Sequence, residues 1–308
     1  MSILVIGSVA YDNIETPTEK RKDVLGGAAT HFSLAASFFT KVSLVGVVGN
    51  DFKDRDVEFL RSRNIDLAGL KVIPNGKTFR WDGRYEWDMN QAHTLDTKLG
   101  VFADFNPQLE EHHKNAPFVF LANIDPEIQL NVLRQVRKPK FVAMDTMNFW
   151  IEGKRKQLKE TISHVDALLI NDAELRELAS EVNVSKAAHV ILSWGPKVVV
   201  VKRGEYGALL YTQDSVFAAP AMPLHELAEP TGAGDSFAGG FMGYLAHRMS
   251  LAPEDLRHAV ICGSVMASYN VEGFGTERVA RLKKEEIAHR FSDFKQLAHF
   301  EDIALFSS

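Results

Sequence analysis

The run Glu229-Pro230-Thr231-Gly232-Ala233-Gly234-Asp235-Ser236-Phe237 sets a Gly-Ala-Gly turn directly before a small-residue helix beginning at Asp235. A glycine-rich turn lets backbone N–H groups point outward at one spot. A helix N-terminus adds roughly half a positive charge there. Together they make a cradle for an anion such as a phosphoryl group in transfer. Asp235, at the mouth of the cradle, is placed to accept a proton from an incoming hydroxyl. Phosphoryl transfer needs an acceptor hydroxyl in line, its proton removed and the moving charge stabilised. Asp235 would serve the first two needs, and the N–H groups along Gly232, Ala233, Gly234 and Asp235 the third. The competing structural reading is an N-capped helix, because Thr and Asp are both common around a helix start.

Other residues stand where an α/β sheet meets ligand. Asp12 lies just beyond the first strand, where side chains reach the crevice at the strand ends; a turn-forming Asp is the alternative. Gly26-Gly27-Ala28-Ala29-Thr30-His31 precedes a helical run, and its glycines would let backbone approach an acceptor. Asn171-Asp172-Ala173-Glu174 follows an apolar strand and has the spacing of a capping box.

The string from Glu229 to Phe237 resembles the second signature of the ribokinase-like (PfkB) carbohydrate kinase family, Asp-Thr-x-Gly-Ala-Gly-Asp-x-Phe, and Gly26-Gly27-Ala28-Ala29-Thr30-His31 resembles the first. The resemblance covers nearly the whole chain. It implies a kinase that moves the γ-phosphoryl group of ATP to a hydroxyl of a small sugar, or alternatively of a nucleoside. Asp235 would be the base, with Gly232, Ala233 and Gly234 as the anion turn. Asp12, Gly26, Gly27 and His31 would hold the acceptor, His31 standing where the family usually has Asn. Lys202, Gly204 and Gly275 would touch the nucleotide, Lys202 replacing a Thr. Asn171 and Glu174 would organise Mg2+ through water, and Asp145 would share that task. Many members bind K+ beside the cradle when Asp stands six residues before the base; Glu229 stands there, which leaves a K+ requirement open.

The elements that must position these groups follow from hydrophobic patterning. Apolar runs at Ile3–Ile6, Val42–Val48, Phe118–Ala122, Phe141–Met144, Ala167–Ile170 and Val198–Val201 read as parallel strands buried on both faces. Helices are expected at Thr30–Phe39, Asp54–Ser62, Pro126–Val136, Lys154–His164, Glu174–Ser180, Asp235–Arg248, Pro253–Val271 and Lys283–Phe291. The alternation predicts a three-layer α/β/α sandwich with a mainly parallel central sheet, ribokinase-like, as one domain over 1–308. Residues 14–25 and 70–104 break the pattern. Phe79, Trp81, Tyr85 and Trp87 share one parity, and Leu99, Val101, Ala103 and Phe105 repeat it. These segments are expected to form a small antiparallel β lid. The family resemblance makes it a cover over the acceptor and, in some members, a contact for a homodimer.

Composition narrows the partners. With 45% hydrophobic and 24% charged residues, the 308-residue chain has the balance of a soluble globular protein. A formal charge of −5 gives no electrostatic reason to expect nucleic acid or an anionic membrane. The lone Cys262 excludes an intramolecular disulfide. The start of the chain lacks a signal-peptide pattern, so a cytoplasmic enzyme is expected. Two readings from other classes compete. A non-catalytic ligand-binding protein on the same fold fits the departures at His31, Lys202 and Glu229 but not the intact Gly-Ala-Gly-Asp string. A dinucleotide-dependent oxidoreductase lacks its GxGxxG turn after the first strand.

Overall fold

The computed structural model describes residues 2–89 and 92–299, so residues 90 and 91 of the expected lid lie outside the described residues. In chain order the strands are β1 (Ser2–Ile6), β2 (Ala10–Glu15), β3 (Lys20–Gly26), β4 (Lys41–Gly49), β5 (Ile65–Ile73), β6 (Phe79–Tyr85) and β7 (Ala92–Lys98). They continue with β8 (Phe118–Leu121), β9 (Phe141–Asp145), β10 (Ala167–Asn171), β11 (Val198–Lys202), β12 (Ala208–Tyr211) and β13 (Val216–Ala219). A nine-stranded sheet runs in the order β13-β12-β11-β10-β9-β8-β1-β4-β5. Every pairing from β5 across to β11 is parallel, and β12 and β13 add an antiparallel margin.

The apolar runs are continuous because both sheet faces are covered. Val5, Phe120, Leu169 and Val200 pack under the helices Ala28–Ala36, Ala233–Arg248 and Pro253–Asn270. Their chain neighbours Leu4, Val119, Leu168 and Val199 pack under the opposite layer, which includes Pro126–Leu133, Asp172–Ala179 and Val184–Leu192. The expected three layers are present. Cys262 is buried, and burial pushes its thiol up to about 12, so it is an inert core residue. Among the described residues no helix is long and apolar enough to cross a membrane.

The remaining strands form a four-stranded sheet, β3-β2-β6-β7. Its outer pairs are antiparallel, but the middle pair, β2 with β6, runs parallel. Its bounds differ from the expected segments in two ways. The sheet begins at Ala10, while Leu70–Ile73 belongs to β5 of the large sheet. Leu99 to Phe105 is no strand: Gly100 takes a left-handed φ of 52°, and Gly100–Asp104 coils into a 3-10 turn. Of that parity, Val101 and Phe105 pack on the main core, while Leu99 and Ala103 are exposed. Of the four lid aromatics, Tyr85 and Trp81 pack with Ile14 and Phe274. Phe79 stacks on Phe102, and Trp87 lies past the strand end with 82% of its surface exposed. One shared aromatic face is therefore carried by Trp81 and Tyr85 and not by Trp87.

Candidate active site

In a parallel sheet the carboxyl ends of all strands open on one edge. Here three neighbouring strands each end there in a polar residue: β9 in Asp145, β10 in Asn171 and β11 in Lys202. The helix Ala233–Arg248 points its first turn at this edge. Nζ of Lys202 stands 4.0 Å from Oδ2 of Asp145. The same ammonium lies over the bare Cα of Gly234, where an added Cβ would come within 2.9 Å of it. Asp235 follows in the first helical turn and is partly buried. Burial pushes its carboxyl up to about 6, against the downward pull of Lys202. Burial also raises Asp145 and Glu174, and Lys202 again draws both back. One ammonium thus serves three carboxylates.

The turn ahead of this helix has the geometry of an anion cradle. Gly232 is the N-cap in a left-handed conformation, φ 76°, and no side chain caps the helix. A Cβ at Gly232 would collide with the His31 ring, so glycine is required twice over. The Ala233 N–H is engaged by the Pro230 carbonyl at 3.0 Å, which takes it out of the expected set of donors. Gly234 and Asp235 remain as first-turn N–H groups with no capping side chain.

The acceptor candidates gather on the other side of Asp235. Asp12 on β2 is buried, and its carboxylate fills the space that a side chain at Gly26 would need. Burial, with Glu229 and Asp235 adding repulsion, pushes Asp12 up to about 8, while the Gly27 N–H pulls it down. Gly27, at φ 93°, starts the helix Ala28–Ala36 and sits tight against the Ser8 carbonyl. His31 is buried in that helix. Its Nδ1 lies 3.1 Å from Oδ1 of Asn270, and its Nε2 has no partner among the described residues. Burial lowers His31 to about 4, so it is a neutral imidazole at physiological pH.

Asn270, unmarked in the sequence, and Glu229 and Tyr85, marked there for other reasons, shape the site through contacts that only the fold brings about. Asn270 Oδ1 accepts from Ser236 Oγ at 2.9 Å and Asn270 Nδ2 donates to the Thr231 carbonyl at 2.7 Å. It ties both signature segments together, since its Oδ1 also faces His31, and nothing in the spacing of the sequence marks it. Glu229, named only for its place before the base, accepts from Thr231 N and from Gly275 N, both at 2.7 Å. Tyr85 brings its hydroxyl to Thr231 Oγ1 at 2.9 Å, joining lid to turn.

The other expected contacts divide. Asn171 and Glu174 form a reciprocal capping box, Glu174 N to Asn171 Oδ1 at 2.8 Å and Asn171 N to Glu174 Oε2 at 3.1 Å. Gly204 is exposed two residues past Lys202, at the turn into β12. The Gly275 N–H is engaged by Glu229, and Val24 of the lid closes over its Cα. These contacts leave Gly275 no free donor for a nucleotide. For a divalent cation the fit is good. Asp145 Oδ1 is buried without a partner among the described residues, and it shares the Lys202 edge with Glu174. Hard oxygen donors in acidic excess suit Mg2+ reached partly through water.

Comparison with known proteins places the chain in a family and its architecture in a fold. Residues 2–281 match the model of the pfkB family carbohydrate kinases. Cytidine kinase of Thermococcus kodakarensis is 32% identical over 249 residues, covering 79% of this chain and 87% of that one. A nucleoside kinase of Methanothermobacter thermautotrophicus is 28% identical over 289 residues, 89% of this chain and 91% of its own. In architecture, Burkholderia thailandensis nucleoside kinase in complex with ADP-inosine superposes with a TM-score of 0.78 over 99% of both chains, at 18% identity.

Proposed function

The chain belongs to the pfkB family of carbohydrate kinases, phosphotransferases with a hydroxyl acceptor, and from that premise we propose that it moves the γ-phosphoryl group of ATP to a hydroxyl on the sugar of a nucleoside. The observation that carries this is the place of Asp235. It raises Asp12 on one side and shares Lys202 with Asp145 on the other. An acceptor held at Asp12 would have its hydroxyl beside Asp235, and a nucleotide held at Lys202 would present its phosphates there.

Each group then has a task. Asp12 and Gly26-Gly27 hold the acceptor hydroxyls. Asp235, with a carboxyl poised near neutrality, takes the proton from the attacking hydroxyl. The N–H groups of Gly234 and Asp235, with the helix dipole, meet the charge that builds on the phosphoryl oxygens. Lys202 adds a full positive charge at the same spot. Mg2+, held through Asp145 and Glu174, neutralises phosphate charge when bound. The lid excludes water, which otherwise competes as acceptor.

A nucleoside acceptor is supported by two relatives named for that class, one at 32% identity. The lid adds a negative argument. Arg80 is paired with Asp23 and lies 3.8 Å from Asp51, and Arg84 lies 3.2 Å from Glu15. With both lid arginines engaged, an acceptor carrying its own phosphate is disfavoured. A free sugar is the second reading, favoured by the family description itself. ADP release with cytidine, inosine, adenosine, ribose and fructose decides between them. A nucleoside should exceed ribose in kcat/KM by at least about tenfold, the worth of one well-placed extra contact. Turnover confined to free sugars would reject the nucleoside and keep the kinase.

A further inference from the structure

Far from the kinase site, Asp66, His112 and His113 bring one ligand atom each to within 4.8 Å of one another. We propose that these three side chains form a binding site for a divalent ion of the zinc type, clamping the edge of the large sheet. The location is set by topology. Asp66 is the second residue of β5, and the two histidines precede β8. Both points lie at the amino ends of parallel strands, across the sheet from Asp145, Asn171 and Lys202. The site is therefore independent of the phosphoryl-transfer machinery.

The donor set has the chemistry of zinc. Two imidazoles and one carboxylate supply three of four tetrahedral positions and leave the fourth to water. Ligands about 2.1 Å from a tetrahedral ion stand roughly 3.4 Å apart, so the three atoms need close only modestly to reach bonding distance. The protein already orients them. Asp66 Oδ1 accepts the Ala68 N–H at 3.0 Å, which fixes the carboxylate. Glu110 stands 3.5 Å from Nδ1 of His112, placed as an outer carboxylate that steadies a ligating ring. Most telling is His113. It is buried, yet its Nε2 has no hydrogen-bond partner among the described residues. An unpaired buried nitrogen is costly unless something else satisfies the ring or its surroundings. Lys41, 3.8 Å from Asp66 Oδ2, competes for the carboxylate, and more than half of its side chain is in solvent, so it can swing away.

The test uses untagged full-length protein, stripped with chelator and titrated with ZnCl2 by calorimetry. One equivalent should bind, and Co2+ in its place should give the intense visible absorption of a tetrahedral centre. His112→Ala removes an exposed ligand and should weaken zinc at least about tenfold while the circular dichroism spectrum and kinase turnover stay as in wild type. Asp66→Asn should weaken it as well, whereas Asp235→Asn should not. Absence of zinc uptake by the wild type would overturn the site. So would binding that survives His112→Ala and Asp66→Asn, or that disappears with Asp235→Asn, since the ion would then belong to the kinase cleft.

Discussion

Tyr85 of the lid and Thr231 of the Gly-Ala-Gly turn meet hydroxyl to hydroxyl at 2.9 Å. Tyr85 is also one of the residues that seat the small sheet on Phe274. The cover and the turn are thus one mechanical unit. Tyr85→Phe keeps the packing and removes only the polar link, worth about 1 kcal/mol. We expect kcat/KM for the acceptor to fall about fivefold and acceptor-free ATP hydrolysis to rise relative to transfer. Steady-state ADP release with and without acceptor measures both. An unchanged ratio would mean that the lid closes without this bond.

The carboxyl of Asp235 titrates at about 6, raised by burial and restrained by Lys202. A base acts only when deprotonated, so kcat/KM should fall as pH drops through about 6, approaching tenfold per unit below it. The residual rate of Asp235→Asn should lack that limb. Persistence of the limb in the variant would assign it to Asp145 or Asp12, which burial also raises.

Asp12 makes a prediction about stability. Its carboxyl rises from 3.8 to about 8 in the folded chain. Between those values the native state holds a proton that the unfolded state has released, so this group's contribution is fully present below pH 4 and is lost as pH rises through 8. Asp12→Asn removes the ionising group. The Tm of the variant minus that of wild type should therefore grow from pH 5 to pH 8, while the acceptor KM rises. A gap that does not vary with pH would show Asp12 to be ionised throughout.

Asn270 holds Ser236 and the Thr231 carbonyl and faces His31. Asn270→Leu fills the volume but strands those buried polar groups. Urea denaturation should show a loss of about 2 to 3 kcal/mol, with kcat falling because the turn is no longer tied to Ser236. Wild-type stability in this variant would remove Asn270 from its bracing role.

These residues also mark the boundary of what a linear reading shows. Six strands of the large sheet were legible because burial on both faces writes unbroken runs such as Val198–Val201, whereas the edge strand β5, largely exposed past Leu67, writes none. The helix Asp54–Ser62 was found with the same bounds, its charged and apolar residues keeping helical period. The anion turn was legible because Gly232 must take a positive φ and lie against His31. What tertiary pairing decides was not. Asn270 joins His31, Thr231 and Ser236, partners scattered along the chain, and a single Asn carries no spacing signal. The parallel pairing of β2 with β6 depends on how the lid returns over the sheet. The 3-10 turn at Gly100 mimicked strand alternation because Val101 and Phe105, on one parity, both pack inward. Asn171 with Glu174 met the capping-box reading in full, and any metal role there shares those atoms with helix capping.

The central claim is that Asp235 frees the acceptor hydroxyl while main-chain N–H groups at the start of its helix grip the phosphoryl group. Rapid-quench single-turnover transfer by Asp235→Asn, alongside ATP affinity measured by calorimetry, tests it most directly. The account predicts a transfer rate lower by about 10² to 10⁴ with ATP affinity changed less than about threefold. Transfer at the wild-type rate in that variant would contradict it.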